Sequence, residues 1–141
     1  LPALRGPGIE ENRSARGAYV LAEASGPRRV TLIGTGSEVA LALTARAMLQ
    51  AEGVPTAVVS MPSWEAVAAQ DAAYRASVIP RDTVRVAVEA ALRFGWDRWI
   101  GEDGGFVGMT GFGASGAPED LFRHFGITAE AVAETARARL R

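Results

Sequence analysis

"TLIGTGSEVALAL", residues 31–43, is the stretch on which the reading of this chain turns. An apolar, β-branched run ending at Ile33 meets Gly34-Thr35-Gly36, and a helix-like segment follows. A strand, a glycine turn and a helix in that order either cradle a phosphate on the helix amides or simply reverse the chain. The dinucleotide fingerprint requires a third glycine or alanine, and Val39 stands there. Its branched side chain would hold the helix off the strand. The fingerprint also wants a carboxylate roughly 20 residues on, where the sequence reads Val59-Ser60-Met61-Pro62. A P-loop would need Gly-Lys-Ser/Thr, and the turn has no lysine. Thr35 and Glu38 stand three apart, the spacing of a capping box. Glu38 at the positive end of a helix would also repel a phosphate. The turn is therefore expected to start a helix, with Thr35 and Glu38 capping each other, and to hold no nucleotide.

Outward from this junction, apolar strands alternate with helical segments. "AYVLAEA" (18–24) reads as a short strand, "RRVTLIG" (28–34) as a buried one, and "SEVALALTARAMLQAEG" (37–53) as a helix stopped by Gly53. "TAVVSM" (56–61) is a second buried strand. Ser63 is placed to cap "WEAVAAQ", and helix resumes through "AAYRASV" up to Pro80. "VRVAVEA" (84–90) is a further buried strand, "GWDRWIG" (95–101) a short helix or turn, and "GGFVGM" (104–109) a short edge strand. A glycine-rich loop, "GFGASGAP" (111–118), leads to the helix "EDLFRHFG", and Thr128 caps a last helix, "AEAVAETARARL". Alternation of this kind implies an α/β domain with a mostly parallel sheet covered on both faces. The first strand reaches the next through too few residues for a parallel crossover, so it is expected to run antiparallel. The helix at 37–53 carries two apolar stripes, Val39, Ala42, Leu43 and Ala47 on one and Leu41, Ala45, Met48 and Leu49 on the other. That width predicts burial against more than one neighbour.

The chain has 141 residues, enough for one domain. A net charge of −1 without like-charge blocks points to neither nucleic acid nor membrane. The absence of cysteine excludes disulfides and thiolate metal sites, and the single His124 cannot form a multi-histidine site. No apolar run approaches the ~20 residues of a membrane span, and a cytoplasmic protein is the default expectation. Residues 1–17, "LPALRGPGIEENRSARG", read as a linker or extended arm. The opening "LPALRGPG" is unlike the start of a natural domain, which predicts a chain cut from a longer one.

Several residues invite a chemical reading beside a structural one. Glu89, ending a buried strand, could be a catalytic base, or it could accept backbone amides or pair with an arginine. His124, in the helix "LFRHFG", suits a surface or C-terminal capping role. Phe94, Trp96 and Trp99 could stack a ligand, although packing or a subunit interface suits them better. The loop "FGASGAP" could hold an anion on its amides or pack against another chain. No Ser-His-Asp set, paired-carboxylate spacing or metal cluster emerges from the residues.

A family resemblance rests on longer stretches: "TLIGTGSEVALAL", "EGVPTAVVSMPSWEAVAAQDAAYRASVIP", "VRVAVEA", "GWDRWIGEDGGFVGMTGFGASGAP" and "LFRHFGITAEAVAETA". In this order they resemble the C-terminal domain of the transketolase family over residues 18 to about 140. The most specific parts are "SMP", the QD-x-x-Y-x-x-S-V-x-P series and the Phe112–Pro118 loop, which carries one glycine more than the usual "FGASAP". The resemblance implies a three-layer α/β/α sandwich, its five-stranded sheet mostly parallel with one antiparallel strand. Residues 1–17 would be the arm from a preceding domain and 18–141 the C-terminal domain itself.

It also implies that the whole enzyme moves two-carbon ketol units between ketose and aldose phosphates, as in the pentose phosphate pathway and the Calvin cycle. That transferase uses thiamine diphosphate with Mg2+ or Ca2+. The family's cofactor ligands lie in the preceding pyrophosphate and pyrimidine domains, and its substrate-phosphate arginine lies just before the "LP" that opens this chain. No catalytic, cofactor-binding or metal-binding residue is thus expected here, and the fragment alone is expected to be inactive. Its expected partners are those two domains and a second copy in a homodimer, with sugar phosphates as substrates of the whole enzyme. Two other readings stay open. One is a related thiamine enzyme, deoxyxylulose-phosphate synthase or a pyruvate dehydrogenase component. The other is a stand-alone anion-binding regulatory or interaction module.

Overall fold

The computed structural model of the chain describes residues 15–89, 95–108 and 127–140. Five strands form one sheet in the order β1-β3-β2-β4-β5: β1 (Tyr19–Ala22), β2 (Val30–Gly34), β3 (Thr56–Ser60), β4 (Val84–Glu89) and β5 (Gly105–Gly108). β2 lies between β3 and β4 and runs parallel to both, and β5 extends the parallel ladder from β4. β1 is antiparallel, as its short connection predicts, but it pairs with β3 and not with the neighbouring β2 in sequence. The loop at 23–29 therefore carries the chain past the position that β3 later fills.

Because side chains alternate along a strand, the sheet feeds two separate cores. Val30 and Leu32 of β2, Val58 of β3, Val86 and Val88 of β4 and Val107 of β5 enter one. Ile33, Val59 and Ala87 enter the other. Every residue of β2 is buried, which is why this strand reads as apolar along most of its length.

The first core is closed by two long helices lying side by side, α1 (Val39–Ala51) and α5 (Ala129–Leu140). α1 buries Val39, Ala42, Ala45 and Leu49, one stripe at helical spacing. This stripe takes two residues from each of the two read from sequence, and Ala47 is exposed. Leu41, Leu43 and Met48 flank it, partly buried. The two-stripe reading is thus replaced by one buried stripe with apolar shoulders, because α1 must face the sheet while α5 shields its side. α5 presents Ala129, Val132, Ala133 and Ala136, mostly small side chains that let it approach closely.

The second core is covered by three short helices: α2 (Trp64–Ala68), α3 (Ala72–Val78) and α4 (Asp97–Ile100). Local chemistry starts two of them. Ser63 Oγ accepts from the Ala66 amide at 3.1 Å, and Asp71 Oδ1 accepts from the Tyr74 amide at 2.8 Å. Thr128 caps α5 likewise, its Oγ1 accepting from the Ala131 amide at 3.1 Å. The loop "GFGASGAP", the segment "EDLFRHFG" with His124, and Phe94 lie outside the described residues.

Candidate functional site

The strand–turn–helix junction comes first. Gly36 adopts φ +53°, which favours glycine, and a Cβ on Gly34 would lie 3.0 Å from Val39 Cα. Both glycines are there so that the chain can fold tightly against the start of the helix. The expected capping box does not form: the Thr35 side chain makes no capping hydrogen bond. The Glu38 amide donates instead to the Thr35 carbonyl at 3.1 Å, closing a 3₁₀ turn over Gly36–Glu38 before α1 begins. The α-helix itself then starts at Val39, with Glu38 and not Thr35 at its N-cap. The Glu38 side chain is buried at the junction. A carboxylate there, one amide already used and Val39 against the strand leave the turn unsuited to a diphosphate.

Glu89 takes a structural partner that differs from either expected one. Its carboxylate accepts the indole N–H of fully buried Trp96 at 2.5 Å. Trp96 in turn meets Trp64 edge-on at 5.0 Å between ring centroids and Phe106 at 6.1 Å. Trp96 and Trp99 are core residues, which fits the packing reading over a ligand-stacking platform, although Trp99 also lines a cleft.

A second polar chain ties α3 to the sheet. Arg28 Nη1 donates to the Val78 carbonyl at 2.8 Å and lies 3.4 Å from Thr31 Oγ1. Thr83 Oγ1 donates to the Pro80 carbonyl at 2.7 Å. A hydroxyl has a single proton, so in the 2.8 Å Thr31–Thr83 pair Thr31 is the donor.

One cleft was missed by sequence reasoning. It has a volume of about 470 Å3 and lies between α3, α4 and the start of β4. Arg75, Arg81, Arg85 and Arg98 line it, and among the described residues no carboxylate does. Arg75 is held by the carbonyls of Ala68 and Gln70, and Arg98 lies 4.7 Å over the Trp99 ring. Arg85 Nη1 reaches the Trp99 carbonyl at 3.3 Å. Among the described residues its Nε, buried, has no hydrogen-bond partner. Burial, and then the charge of Arg81, push the Arg85 guanidinium below the usual arginine range. The one sequence signal was an arginine inside the apolar strand "VRVAVEA"; the other three are scattered and cancel in the net charge.

The antiparallel edge, the parallel remainder of the sheet and the helix layers on both faces define a mixed three-layer α/β domain, with a junction not built for a nucleotide. The chain belongs to the family described as the transketolase-like TK C-terminal domain, whose model matches residues 17–128. It is 58% identical over 142 residues to the transketolase of Sinorhizobium medicae (strain WSM419), covering 100% of this chain and 20% of that protein. It is similar to the crystal structure of Pichia stipitis transketolase in complex with sedoheptulose-7-phosphate, at a TM-score of 0.86 and 34% identity. That match covers 99% of this chain and 20% of the other. A split-gene transketolase solved as an inactive β4 tetramer matches at a TM-score of 0.77 and 26% identity, covering 99% of this chain and 46% of that one. The chain spans about a fifth of the length of the curated relatives it matches.

Proposed function

We propose that this chain is the noncatalytic C-terminal domain of a transketolase that transfers two-carbon ketol units between ketose and aldose phosphates. The observation that carries this reading is the 58% identity, over the whole chain, to a full-length transketolase. Residues 18–141 form the domain, and 1–17 are an arm leading from the preceding one. No residue of the chain takes part in catalysis or binds cofactor or metal. The enzyme's thiamine diphosphate and divalent metal are held by the two preceding domains. The junction at 34–38, with its buried Glu38, does not suit that group, and among the described residues no cluster of His, Cys, Asp or Glu could hold a metal ion. The domain's contribution is structural: it docks on its companion domains and supports a homodimer in the cytoplasm. Among the described residues no helix is long and apolar enough to cross a membrane.

The test compares two proteins in a ketol-transfer assay with thiamine diphosphate, magnesium and a donor–acceptor pair of sugar phosphates. The natural-length protein is expected to turn over and the 141-residue chain to show no activity. Calorimetric titration of this chain with thiamine diphosphate is expected to give no binding. Saturable binding in roughly the micromolar range overturns the noncatalytic assignment.

A further inference from the structure

We propose that the arginine-walled cleft between α3 and α4 binds a small phosphate-bearing anion with an apolar body. Charge decides the sign of the ligand: four arginines line one cleft that, among the described residues, no carboxylate lines. A partly buried cation normally has a counter-charge beside it. Arg85 has instead a second arginine, Arg81, and a buried Nε without an acceptor among the described residues. An anion in the cleft relieves both the repulsion and the missing charge. The acidic side chains nearby, Asp82 and Asp103, line a separate cleft of about 310 Å3 on the far side of Arg81 and Arg85.

The shape of the donors narrows the class. Guanidinium forks match the oxygens of phosphate, two hydrogen bonds at a time. Arg75 and Arg98 are already oriented, the first by two carbonyls and the second by the Trp99 ring, so less side-chain freedom is lost on binding. Val67, Ala72, Ala76 and Ile79 give the cleft an apolar side. Its volume of about 470 Å3 suits a small organic molecule better than a bare ion or a long acidic peptide.

The test uses the natural-length protein and follows hydrogen exchange by mass spectrometry, which reports locally and so separates this cleft from phosphate sites elsewhere. Inorganic phosphate is expected to slow exchange in segments 72–85 and 96–104, saturably. Phenyl phosphate is expected to do so at a concentration at least about fivefold lower, because its ring covers the apolar side. Arg81→Gln, at an exposed position, is expected to retain the fold and ketol-transfer activity while raising the half-saturating concentration about tenfold. No protection in these segments overturns the proposal; a cleft filled by another part of the protein gives that result. Equal protection in the Arg81→Gln variant also overturns it. Phosphate binding without a gain for phenyl phosphate overturns the assignment of an apolar body.

Discussion

On one face of the sheet, α1 and α5 run side by side over a core of Val, Leu and Ala side chains, joined at the surface by the Arg137–Glu52 pair at 2.6 Å. On the other, three short helices stand on a core centred on Trp96, and their ends are tied by side-chain caps and by arginine and threonine hydrogen bonds to carbonyls. Such short helices cannot tile a sheet as long ones do, so this face keeps a cleft between its pieces. The same sheet thus has a face closed by repetitive apolar packing and a face closed by individual anchors. The comparison predicts that stability on the short-helix face is concentrated in a few side chains, each with a large or specific cost when removed.

The sharpest way to break this contrast is to remove one anchor from each face. Trp96→Ala is expected to cost about 3–5 kcal/mol in urea denaturation, since the indole is fully buried, packs on Trp64 and donates to Glu89. Leu49→Ala, on the long-helix face, is expected to fall at about 2–5 kcal/mol. A Trp96 variant less affected than the Leu49 variant would remove the idea of a single anchor. Thr83→Val comes next, at about 1–3 kcal/mol, because Thr31 loses its acceptor in a buried site. A neutral result in the same melts would mean that the hydroxyl pair is idle.

Caps separate the two faces more finely. Ser63→Ala is expected to cost about 0.5–2 kcal/mol, whereas Thr35→Ala at the start of the α1 turn should stay within about 0.5 kcal/mol, since Thr35 makes no side-chain cap. A Thr35 variant as costly as the Ser63 variant would restore the capping box. The smallest effect belongs to the surface pair. Hydrogen bonds from Arg137 hold the Glu52 carboxyl below its usual range. A lowered carboxyl pKa stabilises the fold above the unfolded-state value, and that stabilisation is lost as pH falls through the folded-state value. Thermal melts of wild type and Glu52→Gln are expected to differ slightly at neutral pH and to converge as pH drops below about 4. A difference that persists at lower pH would show that packing, and not charge, joins α1 to α5.

What the sequence by itself determined was everything carried by near neighbours. Largely apolar stretches at 30–34 and 84–89 marked strands of a covered sheet, and Ser63 and Thr128 announced their helices because a cap acts within three residues. The failed third glycine at Val39 removed the nucleotide reading without any coordinates. The transketolase family was legible in motifs quoted from one chain and is borne out over residues 17–128. Tertiary structure alone decided which strand β1 pairs with, because ladder partners meet across many residues of chain. It chose Val39, Ala42, Ala45 and Leu49 over either predicted stripe, since the buried side of a helix depends on where its neighbours sit. It also gathered Arg75, Arg81, Arg85 and Arg98 around one cleft. Their spacing of 6, 4 and 13 residues has no period a helix or strand would repeat. Charges so placed become neighbours only when α3, β4 and α4 are packed together, and no local rule brings them there.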